Sequence, residues 1–389
     1  MTPRKICVVT GSRADYGLLY WIIRSIKTDK DLTLQLVATG MHLSQKFGLT
    51  YKEIEKDFKI DKKVNMFLSS DTSEGILKSM GIAQKSFSRV YNELRPDILV
   101  VLGDRFEIFS AAISAMMSRI PIAHINGGES TQGAIDEAIR HCITKMSHLH
   151  FTATEEYSKR VIQLGESPKK VFCVGGTGIE NIRKLKLLKR EEFEKVIKFK
   201  LNTKNILVTF HPETLETKKS KKYFQEILNS IDELKDTNII FTKSNSDIDG
   251  NIINQMIDQY TKQNSHKSIC VTSLGQVKYL SALKHVDIVV GNSSSGIAEA
   301  PSFKIGTINI GGRQNGRIKA KSIVDCSANK NSINKAIKKV YSTKFKNLLK
   351  KVKNPYDNGT ASKKITKVLK TVKLDNILKK SFFDIDNKS

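Results

Sequence analysis

Residues 124–141 read HINGGESTQGAIDEAIRH and combine the signals of a strand, a turn and a helix. The short apolar run at 121–125 suits a buried strand, and the glycines that follow it predict a turn. Ile135, Ile139 and Ile143 then recur at the spacing of one helical face. The stretch therefore predicts a strand that leads through a glycine turn into a helix.

This turn and the helix after it carry a concentration of polar and charged side chains. They are Glu129, Asp136, Glu137, Arg140 and His141. In an open parallel sheet, ligands bind beyond the carboxyl ends of the strands, which is where these groups fall. Because Glu129, Asp136 and Glu137 are close in sequence, a raised pKa is expected for one of them, whereas a helix N-terminus would lower the pKa, and the sequence leaves both outcomes open. We predict that this stretch is the chemical centre of the protein.

Strand-like and helix-like patterns alternate along the rest of the chain. Apolar strand patterns lie at 5–10, 32–39, 97–103, 149–154, 170–175, 205–210, 238–242, 268–272, 286–291 and 307–310. This alternation predicts doubly wound parallel sheets of the α/β class. The first strand opens into residues 11–17, GSRADYG, and this loop matches neither the dinucleotide-binding nor the Walker pattern. Dinucleotide and ATP binding therefore lose support.

A chain of 389 residues is longer than one ordinary domain, so two domains are expected. We predict an N-terminal Rossmann-like domain at 1–178 and a C-terminal Rossmann-like domain at 179–360, facing each other across a cleft. Residues 361–389 are expected to form a helix, which crosses back to the first domain, and a mobile tail.

The composition restricts the classes of function. The net charge of +26 would suit an anionic substrate or a nucleic acid, but we attribute most of it to a lysine-rich background. The lysines are not interleaved with aromatic residues, so no nucleic-acid partner is expected. The five scattered cysteines show no metal-type pairing. Because the chain shows neither a membrane-length apolar run nor a signal-peptide core, we expect a cytoplasmic protein without a membrane partner.

Polar side chains stand at or just beyond the ends of several predicted strands, in both halves of the chain. They are Arg13, His42, Asp104 and Arg105 in the first half, and His211, Asn245, Asn292, Ser293, Ser294, Glu299 and Arg313 in the second. Arginines and free backbone N–H groups suit a phosphate, whereas clustered carboxylates with a histidine suit proton transfer. From its loop alone, Arg13 is equally well a surface arginine of a turn. His211 is equally well a core or capping histidine.

The motifs of the chain, taken together and in order, resemble those of one known family. They are TGSRADYG at 10–17, TGMH at 39–42, GDR at 103–105, the stretch at 124–141 with ITKMSH at 143–148, HPET at 211–214, GNSSSG at 291–296 and GGRQNGR at 311–317. Over residues 5–372 the chain resembles the hydrolysing UDP-N-acetylglucosamine 2-epimerases of sialic acid biosynthesis and their relatives in legionaminic acid biosynthesis.

The resemblance implies a glycosyltransferase-B-like fold, a homo-oligomer and a reaction without a metal or nicotinamide cofactor. UDP would be eliminated across C1–C2 of the sugar to give a 2-acetamidoglucal, and water would then add with inverted configuration at C2. Asp104, Asp136 and position 126 match the family's acid–base positions. Its UDP contacts match Arg13, Arg105, His211, Asn245, Ser293, Ser294, Glu299 and Arg313. His211 also suits assistance to diphosphate loss, and we add His42 and Asn292 to the expected substrate-binding residues.

Asn126 departs from the family, because many relatives have a glutamate there and an amide accepts no proton at neutral pH. Either Glu129 or Asp136 covers this role, or position 126 only positions the sugar. We predict that Asp136, supported by Glu129, takes it, with Asp104 and His211 completing the catalytic set and Asn126 among the substrate-binding residues. The expected reaction converts UDP-N-acetylglucosamine and water to N-acetylmannosamine and UDP, the first step of sialic acid (nonulosonic acid) biosynthesis. The alternatives are the same chemistry on UDP- or GDP-N,N′-diacetylbacillosamine for legionaminic acid, and a two-lobed glycosyltransferase.

Overall fold

A computed structural model of the chain describes residues 2–67, 72–131, 135–212, 219–244, 250–271 and 274–385. The chain divides into two compact units. Unit 1 comprises Met1–Glu129, Ile135–Asn181 and Asn358–Ser389, and unit 2 comprises Ser130–Ala134 and Ile182–Asp357.

The described residues of unit 1 form a seven-stranded parallel sheet in the order β3-β2-β1-β4-β5-β6-β7. The strands are β1 (Arg4–Thr10), β2 (Leu32–Thr39), β3 (Lys62–Val64), β4 (Ile98–Leu102), β5 (Ile122–Ile125), β6 (Leu149–Thr152) and β7 (Val171–Cys173). The helices are α1 (Arg13–Thr28), α2 (Tyr51–Ile54), α3 (Ser73–Leu94), α4 (Phe106–Met117), α5 (Asp136–Met146), α6 (Glu155–Gln163) and α7 (Thr177–Lys184), and the boundary to unit 2 falls within α7.

The described residues of unit 2 form a six-stranded parallel sheet in the order β10-β9-β8-β11-β12-β13. The strands are β8 (Lys204–Thr209), β9 (Thr237–Thr242), β10 (Ser268–Val271), β11 (Ile288–Gly291), β12 (Gly306–Ile310) and β13 (Ile323–Cys326). The helices are α8 (Arg190–Ile197), α9 (Ser220–Asp232), α10 (Gly250–Gln263), α11 (Gly275–His285), α12 (Ser294–Ala298), α13 (Lys330–Tyr341) and α14 (Thr343–Lys350).

Central strands of both sheets are covered by helices on both faces, which is why they read as continuous apolar runs. In β1, Ile6 and Val8 belong to one hydrophobic core, while Cys7 and Val9 belong to the core on the opposite face. In β8 of unit 2, Ile206 and Val208 belong to one hydrophobic core, and Leu207 belongs to the core on the opposite face. The prediction of two parallel-sheet α/β domains is confirmed.

The strand orders locate the ligand-binding edge of each sheet. The chain reverses its direction of winding between β1 and β4 in unit 1, and between β8 and β11 in unit 2. At such a switch point the loops beyond the strand ends diverge and leave a crevice, where open α/β sheets bind ligands. The loops after β1, β4, β8 and β11 are therefore where a ligand is expected to bind.

The last helix, α15 (Ala361–Thr371), packs on α1 within unit 1. Its Ala361, Ile365 and Leu369 join the same core as the buried face of α1. Ser362 begins this attachment by donating its N–H, at 2.9 Å, and its hydroxyl, at 2.6 Å, to the Glu180 carboxylate. Within the described ranges, none of the helices has the length and apolar character needed to cross a membrane.

Candidate active site

Arg140, on α5, joins the acidic loops of unit 1. Its side chain is 2% exposed. The guanidinium donates to the Asp104 carboxylate, to Glu137 Oε2 at 2.9 Å and to the Glu129 carbonyl at 2.8 Å. A buried guanidinium needs such partners because an unpaired charge inside a protein is costly. Arg140 therefore ties the end of β4 to the glycine turn after β5 and to the first turn of α5.

Asp136 is the first residue of α5 and lies among these charges. Burial, followed by the charge of Asp104, raises the pKa of its carboxyl, and the opposing effects of Arg105 and Arg140 are smaller. An upward shift brings the carboxyl toward the neutral range, where a general acid or base works best. Of the two outcomes that the sequence leaves open at this helix, burial prevails for Asp136.

Asn126 directly follows β5 and has a left-handed backbone conformation, with a φ of 66°. Its N–H donates to the Phe151 carbonyl at 2.9 Å. Asparagine adopts this conformation more readily than most residues, whereas a glutamate would be strained there. Gly128 has a φ of 78°, and a Cβ there would lie 2.3 Å from the Tyr157 carbonyl oxygen. The backbone of the turn therefore requires glycine at position 128, and asparagine suits the left-handed conformation at position 126.

His124, on β5, is fully buried and connects two strand ends. Because a carbonyl can only accept, its Nε2–H donates to the Gly103 carbonyl at 2.8 Å, while Nδ1 lies 3.2 Å from the Thr144 hydroxyl. Burial lowers the pKa of His124 to about 4, so the ring is neutral at physiological pH. Its role is to hold the residue before Asp104 in place.

Arg13 and His42 lie in the loops after β1 and β2. Arg13 begins α1, and its side chain is 38% exposed with Nη1 3.9 Å from Glu53. His42 is fully buried, and its ring nitrogens lie 3.0 Å from the Thr10 hydroxyl and 2.8 Å from the Thr50 hydroxyl. Burial lowers the pKa of His42 to about 4. Both of its ring nitrogens are thus engaged within unit 1, while the Arg13 side chain reaches solvent.

Arg105 caps α4 and is anchored by a residue that the sequence analysis missed. Its Nε donates to Glu107 Oε1 at 2.8 Å, and the Glu107 side chain is only 1% exposed. The charge of Glu107 raises the pKa of Arg105. The Arg105 side chain remains 34% exposed. Glu107 therefore holds the guanidinium at Nε, while the rest of the side chain stays accessible to an anion. The order Asp-Arg-Phe-Glu at 104–107 was the available signal, but it does not reveal which partner faces Arg105.

His211 and Asn292 join the two strand ends at the switch point of unit 2. The His211 N–H donates to Asn292 Oδ1 at 2.7 Å, and Asn292 Nδ2 donates back to the His211 carbonyl at 2.8 Å. Asn292 is fully buried, so these bonds satisfy groups that water does not reach. The His211 ring is itself 7% exposed, with Nδ1 3.3 Å from the Ser244 hydroxyl.

Arg313 lies beside this pair. Its Nη1 donates to the Asn292 carbonyl at 3.1 Å, and Gln314 Nε2 donates to the same oxygen at 2.8 Å. Burial, followed by the charge of Arg313, lowers the pKa of His211 to about 3. His211 is therefore a neutral imidazole over the physiological range. It can donate a hydrogen bond, but it does not act as a cation there.

The loop after β11 leads directly into α12. Ser293 caps this helix by accepting from the Ser295 N–H at 3.4 Å, and the Ser295 hydroxyl donates to the Glu299 carboxylate. Burial raises the pKa of Glu299. Gly291 precedes them with a φ of 133°, and a Cβ there would lie 1.9 Å from the Thr209 carbonyl oxygen. Only glycine lets β11 end against β8 in this way.

The structure places the predicted residues in two groups, one in each unit. In unit 1, Asp104 and Glu129 share Arg140, and Asp136 lies within range of the same charges, with Arg13, His42, Arg105 and Asn126 on the neighbouring strand ends. In unit 2, Arg313 bonds to Asn292, which holds His211, and Ser293, Ser294 and Glu299 follow on α12. Asn245 lies outside the described residues.

Further groups in these clusters were not predicted from the sequence. They are Asp15, Glu107, Ser295 and Gln314. Asp15, Ser295 and Gln314 lie within the quoted motifs, but each stands beside a residue whose chemistry was assigned instead, and Glu107 lies two residues beyond the GDR motif. In the part of the chain that the structure describes, no three His, Cys, Asp or Glu side chains converge as metal ligands would.

Solved structures share this fold along nearly the whole chain. The Staphylococcus aureus MnaA–UDP co-structure has a TM-score of 0.80 at 19% identity, covering 98% of this chain and all of that one. The UDP-GlcNAc 2-epimerase from Neisseria meningitidis bound to UDP-GlcNAc has a TM-score of 0.79 at 18% identity, covering 94% of this chain and 99% of that one. The fold is thus of the glycosyltransferase-B-like class of α/β proteins.

The chain belongs to the UDP-N-acetylglucosamine 2-epimerase family, whose family model matches residues 24–370. It is 46% identical to the GDP/UDP-N,N′-diacetylbacillosamine 2-epimerase (hydrolyzing) of Campylobacter jejuni, over 99% of this chain and 100% of that protein. It is 40% identical to the polysialic acid biosynthesis protein P7 of Escherichia coli, over 98% of each. It is 32% identical to a UDP-N-acetylglucosamine 2-epimerase of Neisseria meningitidis, over 98% of this chain and 100% of that protein. The chain is accordingly a nucleotide-sugar 2-epimerase.

Proposed function

We propose that this enzyme hydrolyses a nucleotide-linked 2-acetamido sugar and inverts its C2 centre, releasing a free sugar and a nucleoside diphosphate. The observation that carries the proposal is the cluster of Asp104, Glu129 and Asp136 around Arg140. Removing a proton from carbon and returning one to the opposite face requires more than one positioned acid–base group. Arg140 bonds the Asp104 carboxylate and the backbone carbonyl of Glu129, and the Asp136 carboxyl lies within range of the same charges, so the cluster supplies more than one such group.

In the first stage, a carboxylate removes the proton at C2 of the sugar. The electron pair of that bond forms the C1=C2 double bond, and the C1–O bond breaks so that the diphosphate leaves with its electrons. We assign the proton transfer at C2 to Asp136, supported by Glu129, because the raised pKa of Asp136 suits it to neutral pH. Arg140 keeps Asp104 in a fixed position beside it.

The leaving diphosphate needs hydrogen-bond donors and positive charge. Arg313 and the neutral His211 lie together in unit 2, and the low pKa of His211 makes it a hydrogen-bond donor rather than a proton source. Arg105 and Arg13 offer further accessible guanidinium groups in unit 1. These residues stabilise the charge that develops on the diphosphate as the C1–O bond breaks.

In the second stage, water adds to the 2-acetamidoglucal. The water oxygen bonds to C1, a carboxylate accepts the proton that water releases, and a carboxylic acid delivers a proton to C2 on the face opposite to the first. Asn126 takes no proton in this scheme. Its left-handed backbone conformation supports a role in shaping the turn that carries Glu129.

Two candidates are supported for the sugar of the nucleotide-linked substrate. The first is nucleotide-linked N,N′-diacetylbacillosamine, because the Campylobacter jejuni relative named for that substrate is 46% identical over the full length. The second is UDP-N-acetylglucosamine, the substrate expected from the motifs, because a relative named for it is 32% identical over the full length. The two sugars differ at C4 and C6, away from the bonds that react.

One experiment tests both the reaction and the substrate. The protein is incubated in deuterated water with UDP-N-acetylglucosamine, UDP-N,N′-diacetylbacillosamine or GDP-N,N′-diacetylbacillosamine, and the products are analysed by NMR and mass spectrometry. We expect a free 2-epimeric sugar with deuterium at C2, formed fastest from a diacetylbacillosamine nucleotide. Faster turnover of UDP-N-acetylglucosamine would favour the second candidate. An epimer still bound to its nucleotide, or no turnover of any substrate, would contradict the proposal.

A further inference from the structure

Two buried carboxylates face one arginine at the switch point of unit 1. Asp15, in the first turn of α1, is 9% exposed, and Glu107, in the first turn of α4, is 1% exposed. Arg105 Nε donates to Glu107 Oε1 at 2.8 Å. Among the described residues, Asp15 Oδ2 and Glu107 Oε2 are buried oxygens without a hydrogen-bond partner. The cluster thus holds two carboxyl groups and a single directly bonded cation.

Glu107 occupies its position because the loops after β1 and β2 leave room for it. A Cβ on Gly11 would lie 2.5 Å from Glu107 Cγ, and a Cβ on Gly40 would lie 3.2 Å from the same atom. The Glu107 side chain is therefore packed between two glycines on neighbouring strand ends. This packing fixes its carboxylate, and through it the base of the Arg105 side chain.

Electrostatics decides how many protons this cluster holds. Asp15 faces Glu107 and Arg105 of α4 and, more weakly, Asp104 at the end of β4, and its own N–H donates to the Ser12 hydroxyl at 3.3 Å. The helix N-terminus favours a charged Asp15, but burial of a carboxylate without a bonded cation disfavours the charged form more strongly. Burial, followed by the charge of Glu107, accordingly raises the pKa of Asp15 to about 7.

We propose that Asp15 and Glu107 are positioning residues for Arg105: Glu107 anchors its guanidinium, and Asp15 carries a proton at pH 6 that it loses by pH 9, so that Arg105 has one carboxylate charge fewer beside it at the lower pH. The proposal rests on the proposed function in that Arg105 is taken to contact the diphosphate. Loss of the Asp15 proton adds a negative charge beside Arg105, which weakens the attraction of the guanidinium for an anion.

The test measures binding of UDP and of GDP by calorimetry at pH 6 and pH 9, in the wild type and in Asp15→Asn. The exposed Asp375→Asn is the matched control. The diphosphate itself titrates in this range, and the comparison between proteins removes that contribution. We expect the weakening from pH 6 to pH 9 to be roughly fivefold greater in the wild type and the control than in Asp15→Asn. Equal weakening in all three proteins would overturn the role of Asp15.

A second measurement does not depend on ligand binding. Infrared difference spectra between pH 6 and pH 9 should show a protonated-carboxyl band in the wild type that is absent from Asp15→Asn. A band of equal strength in both proteins would place the proton elsewhere and contradict the proposal. If UDP and GDP fail to bind at any pH while this band behaves as expected, the proposed function fails and the proton assignment stands.

The anchoring role of Glu107 is tested with Glu107→Gln, which keeps the packing against Gly11 and Gly40 but removes the charge. Its nucleotide affinity at pH 6 should fall roughly tenfold, because the guanidinium loses a charge-assisted hydrogen bond. Circular dichroism establishes that this variant is folded. Wild-type affinity in a folded Glu107→Gln would overturn the anchoring role, and Asp15→Asn tests the proposal independently if Glu107→Gln does not fold.

Discussion

The two units of this enzyme have the same kind of parallel sheet and the same kind of switch point, but their strand ends carry different chemistry. In unit 1 the loops bring Asp104, Glu129 and Glu137 around Arg140. In unit 2 the corresponding loops place Asn292 and Arg313 around His211. In both units the sheet determines where the loops lie, and the side chains on those loops determine the chemistry. The acidic cluster of unit 1 suits proton transfer, and His211 with Arg313 in unit 2 suits anion binding.

The electrostatic consequences differ in the same way. In unit 1, burial and neighbouring charge raise the pKa values of Asp15 and Asp136. In unit 2, burial beside Arg313 lowers the pKa of His211 and keeps the ring uncharged. A neutral donor next to a guanidinium suits a diphosphate, and carboxyls that can exchange protons suit a C–H bond. Changing one residue in each unit should therefore damage different steps.

The largest effect is expected for Asp136→Asn in unit 1. The amide keeps the shape of the side chain but cannot exchange a proton at neutral pH, so product formation should fall roughly 10²–10⁴-fold. Free sugar is measured by NMR over time, with the exposed Asp375→Asn as the matched control. Turnover within a few-fold of the control would remove Asp136 from the acid–base role.

Arg140→Met should follow, with loss of both stability and activity. Removing the guanidinium leaves the Asp104 and Glu137 carboxylates without their buried partner, and we expect the free energy of unfolding to fall by about 3–5 kcal/mol. Urea denaturation measures the change. Arg89→Met on α3, where the arginine is exposed, should leave the unfolding free energy within about 0.5 kcal/mol of wild type. A loss of less than about 1 kcal/mol in Arg140→Met would mean that Arg140 does not join the loops as described.

Asn292→Ala is the corresponding test of a buried polar anchor in unit 2. The change leaves the buried N–H and carbonyl of His211 without partners, which should lower the unfolding free energy by about 1–3 kcal/mol. UDP affinity should fall with it, because His211 loses the side-chain bonds that hold it beside Arg313, whereas the bond of Arg313 to the backbone carbonyl at 292 remains. The exposed Asn229→Ala is the control. An unchanged UDP affinity in Asn292→Ala would separate this pair from nucleotide binding.

The smallest effect concerns the pH dependence of stability. Below about pH 6.5 an unfolded His211 binds a proton, whereas the folded group, with its pKa near 3, does not. The contribution of neutral His211 is therefore fully present above that pH, and it falls by about 1.4 kcal/mol for each unit as the pH drops toward 3. His211→Asn should show a shallower decline in unfolding free energy between pH 7 and pH 5 than the wild type or the exposed His266→Asn. Identical declines would contradict the buried, neutral state.

Much of the fold was predictable because buried parallel strands appear in the sequence as apolar runs, and each run is followed by polar residues where the strand ends. The helix predicted from Ile135 onward exists as α5, and the strand before it exists as β5. The site was harder to predict, since its essential contacts join residues far apart in sequence. Arg140 meets Asp104 across 36 positions, and no local pattern announces that pairing.

The reason for Asn126 could not be predicted from the sequence either. The sequence shows only an amide at a position where many relatives have a glutamate. Its φ of 66° shows a backbone requirement that the sequence could indicate only through the glycines beside it. Glu107 was missed for a comparable reason, because its significance lies in the space left by Gly11 and Gly40 on other strands.

The acid–base role of Asp136 is tested most directly by the UDP affinity of Asp136→Asn, measured by calorimetry alongside its turnover. If Asp136 transfers protons and the nucleotide is bound by other residues, this variant should bind UDP within about threefold of wild type while its product formation falls roughly 10²–10⁴-fold. A variant that loses UDP binding in proportion to its activity would contradict the account, because Asp136 would then act through nucleotide binding instead of through proton transfer.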